Sequence, residues 1–159
     1  MIDTTTLPVR PASLAELTNL IGVELGPTEW YDVTQERVNA FADATDDHQW
    51  IHIDTERAAA SPLGGTIAHG LYSLSLGPAL SAELIRLDGF AHSLNYGYNK
   101  VRFPAPVPSG SRIRMRATIT SAEQLAGGIQ ITMSQVVERE GSDKPVVVAE
   151  SVARVVEQS

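Results

Sequence analysis

A chain of 159 residues has the size of one domain, burying roughly 70% of the surface its unfolded form exposes, and has no room for a second. Twelve Lys and Arg against 19 Asp and Glu give a formal net charge of -7, and the basic residues are scattered, which argues against a partner held through nucleic-acid phosphates. The absence of cysteine excludes disulfides, thiolate metal sites and a cysteine nucleophile. No basic segment leads into an apolar run at the start, and no stretch has the length to span a bilayer, so the expected location is the cytoplasm, with no membrane partner.

Residues 1–12, with Pro8 and Pro11 among polar residues, read as an arm, and residues 13–159 as a single domain. Ser13 and Glu16 have the spacing of a capping box, which predicts a short helix to about Ile21, ended by Gly22. The β-branched and aromatic stretch Thr28–Val33 predicts a strand. Thr34 then caps a helix whose Val38, Phe41 and Ala42 share one face, and the polar run from Thr45 to Gln49 ends it in a loop.

A second short helix is expected over residues 55–60, closed by the turn formers Ser61-Pro62-Leu63-Gly64-Gly65. From Ile67 to about Ile85 apolar residues cover much of the helical circumference, predicting a largely buried central helix that Pro78 kinks. Strands follow over residues 92–103, 112–119, 129–138 and 146–156. Ile113, Met115, Ala117 and Ile119 alternate with Arg112, Arg114 and Arg116, the period of a sheet with one solvated face. This order describes an α+β domain with an antiparallel sheet against a long helix.

Three of the four histidines lie in or just after one window, Asp46-Asp47-His48-Gln49-Trp50-Ile51-His52-Ile53-Asp54, followed by Ile67-Ala68-His69-Gly70. A carboxylate and an imidazole brought together beside apolar residues can hold a water between them, one accepting a proton and the other supplying one. Asp47 and His52, five positions apart, are such a pair. Taken singly, each residue of the window also has a plainer role as a turn or cap former. His69 reads as a helix-start histidine satisfied by backbone. His48 and His52, four apart, have a metal-like spacing, but the surrounding residues match neither a zincin helix nor a calcium loop, and no metal is expected.

The segment Phe41-Ala42-Asp43-Ala44-Thr45-Asp46-Asp47-His48-Gln49-Trp50-Ile51-His52-Ile53-Asp54, with Ile67-Ala68-His69-Gly70 and Arg102-Phe103-Pro104-Ala105-Pro106-Val107-Pro108-Ser109-Gly110, resembles the MaoC-like (R)-specific enoyl-CoA hydratases. The likeness runs from about Thr28 onward and is greatest to the branch containing nodulation protein N. It implies the hot-dog fold, a sheet wrapped around a central helix, and an enzyme that hydrates trans-2-enoyl-CoA to 3-hydroxyacyl-CoA. It further implies Asp47 and His52 as the acid/base pair and the Gly70 backbone N–H as the oxyanion donor. The implied protein is a homodimer with an acyl-CoA substrate and no separate cofactor.

Gln49, Tyr96, Tyr98, Asn99 and Lys100 are expected to contact substrate, the tyrosines and Asn99 along an interfacial acyl tunnel and Lys100 at the CoA phosphates. Departures from the family pattern are Asp46 in place of Gly, Gln49-Trp50 in place of Asn-Pro, and Pro78 where some members carry a serine. Two alternatives share the expected ligand: a thioesterase on the same fold, and a non-catalytic acyl-CoA-binding protein.

Overall fold

The computed structural model describes residues 3–158. The elements in chain order are α1 (Leu14–Asn19), β1 (Glu24–Leu25), β2 (Tyr31–Asp32), α2 (Gln35–Thr45), α3 (Trp50–Ile53), α4 (Thr55–Ala59), α5 (Gly70–Ser75), α6 (Gly77–Leu84), β3 (His92–Arg102), β4 (Arg112–Leu125), β5 (Gly128–Arg139) and β6 (Pro145–Val156). The strands form one sheet in the order β1-β4-β5-β6-β3, with β2 also on β4, and every pairing between them is antiparallel. None of the described helices is long and apolar enough to cross a membrane.

The sheet closes on one face around the helices. Ile113, Met115, Ala117 and Ile119 of β4 point inward together with Ile129 and Ile131 of β5 and Val147, Ala149, Val152 and Val155 of β6. Against them pack Leu17 of α1 and Leu80 and Leu84 of α6. The alternation read from the sequence is therefore the alternation of the sheet. On its outer face the arginines pair with carboxylates of neighbouring strands: Arg112 with Glu140, Arg114 with Glu138 and Arg116 with Glu24.

Several expectations change in detail. The N-terminal stretch is docked, since Val9 is buried, donates to the Leu84 carbonyl at 2.9 Å and accepts from Arg86 N–H at 2.9 Å. Ser13 Oγ accepts from Glu16 N–H, whereas Glu16 accepts from Ala12 N–H, one residue earlier than in a reciprocal capping box. The strand expected over residues 28–33 shrinks to two residues. At Thr28 the side-chain hydroxyl takes the N–H of Met115, a bond the ladder would otherwise give to a carbonyl.

The single central helix is two helices meeting at Leu76. Pro78 is the second residue of α6, where its missing N–H costs nothing, but in a continuous helix it would leave the Leu74 carbonyl without its donor. Nor is the pair largely buried: Tyr72, Ser73, Gly77, Leu80 and Leu84 face inward, while Leu71 is 63% exposed.

Candidate active site

The polar window leaves α2 through an unusual backbone. Asp46 caps that helix at φ 59°, and among the described residues it is the one non-glycine residue with positive φ. A left-handed residue after a helix is ordinarily Gly; Asp tolerates it better than most because its short polar side chain finds local partners. The turn sends Asp47 back toward the start of α5, and leaves His48 outward, where its Nε2 meets Asp43 Oδ1 at 2.8 Å. That neighbouring carboxylate raises the His48 pKa.

His52 sits on α3, a single turn of helix directly after the loop expected over residues 45–49. Four residues are too few for any periodicity to reveal. The ring is buried, and its Nδ1–H donates to the Ile67 carbonyl at 2.6 Å. In the neutral ring this fixes the tautomer and leaves Nε2 as the acceptor. Burial is the main cause that lowers the His52 pKa; the nearby His69 lowers it further, and the Ile67 carbonyl and Asp47 work the other way.

Gln35, at the start of α2, holds the backbone under this ring. Its Nε2 donates to the His52 carbonyl at 2.7 Å, and its Oε1 accepts from the Thr66 hydroxyl. His69 caps α5 at 3% exposure, with Nε2 donating to the Asp47 carbonyl at 2.9 Å, the backbone satisfaction expected for it. Beyond that bond, its ring stacks on His52 with centroids 3.7 Å apart and planes 25° from parallel. Phe41 packs against His69, and Tyr72 against Phe41, so the two imidazoles stand in an aromatic wall.

Asp47, His52 and His69 each bring one donor atom within 4.8 Å of the others. The trio could hold an ion, but stacked rings aim their lone pairs side by side instead of at one point, a poor match to tetrahedral zinc. The Asp47 side chain is 55% exposed, so water reaches the pair from that side.

Gly70 begins α5 next to this pair. A Cβ there would lie 2.8 Å from the Phe103 ring. Gly70 and His52 share a cavity of about 330 Å³ whose remaining walls are Ile67, Ala68, Ser73 and residues 103–107 with Val146. Asp47 and His52 thus lie close together, and His52 and Gly70 line one cavity, whose lining does not include Asp47.

Of the other expected residues, all but Gln49 lie away from this cavity. Gln49 is exposed beside Asp47, with its side chain making no cap bond to α3. Tyr98 lines a second cavity of about 670 Å³ between α6 and the β3-β5-β6 face. Tyr96 is exposed under the Arg154 guanidinium, Asn99 donates to Glu150, and Lys100 is exposed on the same edge strand. Gln35, the stacking role of His69, and Ser73 were missed. Only a hydroxyl set three residues after Gly70 among leucines hinted at the last of them.

Residues 16–141 match the model of the MaoC like domain. The chain belongs to the MaoC-like domain family. Among curated relatives of this MaoC-like domain is the 3-hydroxyacyl-thioester dehydratase Z of Mycobacterium tuberculosis, 52% identical over 145 residues, which are 91% of this chain and 96% of that protein. Nodulation protein N of Rhizobium leguminosarum bv. viciae is 43% identical over 140 residues, covering 86% and 87% of the two chains. Among solved structures, an R-hydratase from Pseudomonas aeruginosa in its unliganded form superposes with a TM-score of 0.74 at 23% identity, covering 92% of this chain and 87% of that one. At that identity it shows the fold, the α+β hot-dog arrangement of the MaoC-like proteins.

Proposed function

We propose that this MaoC-like domain is an (R)-specific hydratase that adds water across the double bond of a trans-2-enoyl thioester, and in reverse dehydrates the 3-hydroxyacyl thioester. The observation that carries the reading is the hydrogen bond of His52: with Nδ1–H committed to the Ile67 carbonyl, a neutral imidazole keeps Nε2 as its acceptor, and a ring nitrogen lies within 4.8 Å of an Asp47 carboxylate oxygen. Similarity to a protein named 3-hydroxyacyl-thioester dehydratase Z supports it.

In this reading a water lies between the Asp47 carboxylate and His52 Nε2. As its oxygen adds to C3, one of the pair takes its proton, and a proton from the pair is delivered to C2, so that one water is consumed and nothing else is exchanged. Negative charge that develops on the thioester oxygen is met by the Gly70 N–H. The lowered pKa of His52 keeps the ring neutral and able to accept. Because the reaction transfers no electrons to an acceptor, CoA enters as part of the substrate and no separate cofactor is called for.

The acyl chain extends along the inward stripe of the two central helices, Ser73, Gly77 and Ser81, toward the larger cavity where Tyr98 stands. Lys100 and the exposed edge of β3 serve the CoA end and a second copy of the chain. Leu94 and Tyr96, 58% and 60% exposed on that edge, are the residues a homodimer would cover.

The test is to mix the purified protein with crotonyl-CoA and with a longer trans-2-enoyl-CoA, following enoyl absorbance and free thiol together. Loss of absorbance with no thiol released and an (R)-3-hydroxyacyl product supports hydration. Thiol release identifies a thioesterase, and ligand binding without either change identifies a binding protein.

A further inference from the structure

Ser73 is 1% exposed, and its Oγ has no hydrogen-bond partner. A serine in a helix usually settles such a hydroxyl on the carbonyl one turn back, here His69, but that bond is not made; only the Ser73 N–H reaches His69 O, at 3.3 Å. Buried hydroxyls left without a partner are uncommon and ask for a reason. The reason lies in the wall Ser73 occupies. In the cavity of about 330 Å³ the polar side chains are His52 and Ser73; Ile67, Ala68, Phe103, Val107 and Val146 are among the apolar remainder.

Helical side chains lean toward the N-terminus, over the residue three or four positions earlier. Ser73 therefore leans toward the first turn of α5, and it lines the same cavity as Gly70 and His52, where the Phe103 ring fills the space a Gly70 Cβ would need. From these relationships we infer that Ser73 is a second hydrogen-bond donor to the thioester carbonyl oxygen, alongside the Gly70 N–H, and so fixes the thioester against His52. The inference rests on the hydratase reading and adds to it a residue five positions before Pro78, the place where some family members carry a serine. In the free protein the hydroxyl waits unpaired; in the complex the carbonyl oxygen satisfies it, and charge building on that oxygen strengthens the bond.

The opposite signs expected for stability and activity make the assignment testable. Removing an unpaired buried hydroxyl should not destabilise the free protein. Ser73→Ala should therefore leave the melting temperature unchanged or raised, while kcat for enoyl-CoA hydration falls about 100-fold, the low end of the range for loss of an oxyanion donor. KM should change little. Ser73→Cys, close in size but a weak donor, should fall between the two.

A second readout uses butyryl-CoA labelled with carbon-13 at the carbonyl, which cannot be hydrated. Its carbonyl stretch, by difference infrared spectroscopy, should drop to lower frequency on binding the wild-type protein, and lose a large part of that drop in Ser73→Ala. Wild-type hydration with an unimpaired Ser73→Ala and an unchanged carbonyl band would overturn the role of Ser73 and leave the hydratase reading intact. A carbonyl shift that depends on Ser73 in a protein unable to hydrate any enoyl-CoA would do the reverse.

Discussion

The imidazole rings of His52 and His69 lie face to face, 3.7 Å between centroids, both buried and with Phe41 packed against His69. Two rings at that distance cannot both carry a proton without strong repulsion. Burial, first, and this neighbour, second, hold the His52 pKa below 6.5. The acid limb of kcat/KM should accordingly fall below pH 6.5, with activity lost as His52 is protonated. His69→Gln, which can keep a donor toward the Asp47 carbonyl but removes the neighbouring ring, should move that limb part of the way back toward 6.5. A pH profile of the two proteins checks it.

The same shift bears on stability. A histidine whose folded pKa lies below its unfolded value contributes in full above the unfolded value, and the contribution is lost as pH falls through the folded one. Denaturation midpoints should therefore decline as pH drops below 6.5, and His52→Gln should flatten that decline. Exposed His48, raised by Asp43, has the opposite sign and adds stability that disappears as pH climbs through its folded pKa. Comparing midpoints for His48→Asn and His52→Gln separates the two.

Asp46 ends α2 at φ 59°, a left-handed backbone that ordinarily takes glycine. Asp46→Gly should be neutral or stabilising by up to about 1 kcal/mol, whereas Asp46→Val should cost about 1–2 kcal/mol. Urea titrations measure both. Activity should survive in Asp46→Gly, because glycine preserves the backbone that aims Asp47.

Gln35 ties α2 to the carbonyl of His52 and to Thr66. Gln35→Ala should remove about 1–3 kcal/mol by leaving those groups short of partners. Because a loosened ring spends less time in position, kcat should fall about 10-fold with KM little altered. Calorimetry and steady-state kinetics on one preparation read both effects.

Much of this protein is legible in its sequence where periodicity runs long enough. The alternation in β4, the Thr34 cap of α2 and the polar window after it all stand in the structure. What hid were short or long-range features. β1 and β2 are two residues each: no run of strand formers marks β1, and the run over residues 28–33 overstates β2, because Thr28 replaces a ladder bond with its side chain. Leu76 marks a break that apolar composition spans without a trace, with Pro78 as the visible clue. In the site, the closeness of Asp47 to His52 was expected because both lie in a motif. The grip of Gln35 and the stacking of His69 arise from residues 17 positions from His52 on either side, and spacing does not report such contacts.

The most direct test of the dyad is the rate of crotonyl-CoA hydration by Asp47→Asn, His52→Gln and the double variant, each shown to be folded. If the two residues hold one water between them, each single change should lower kcat about 10²- to 10⁴-fold, and the double should be no worse than the slower single. Either single variant retaining near wild-type kcat would contradict the account.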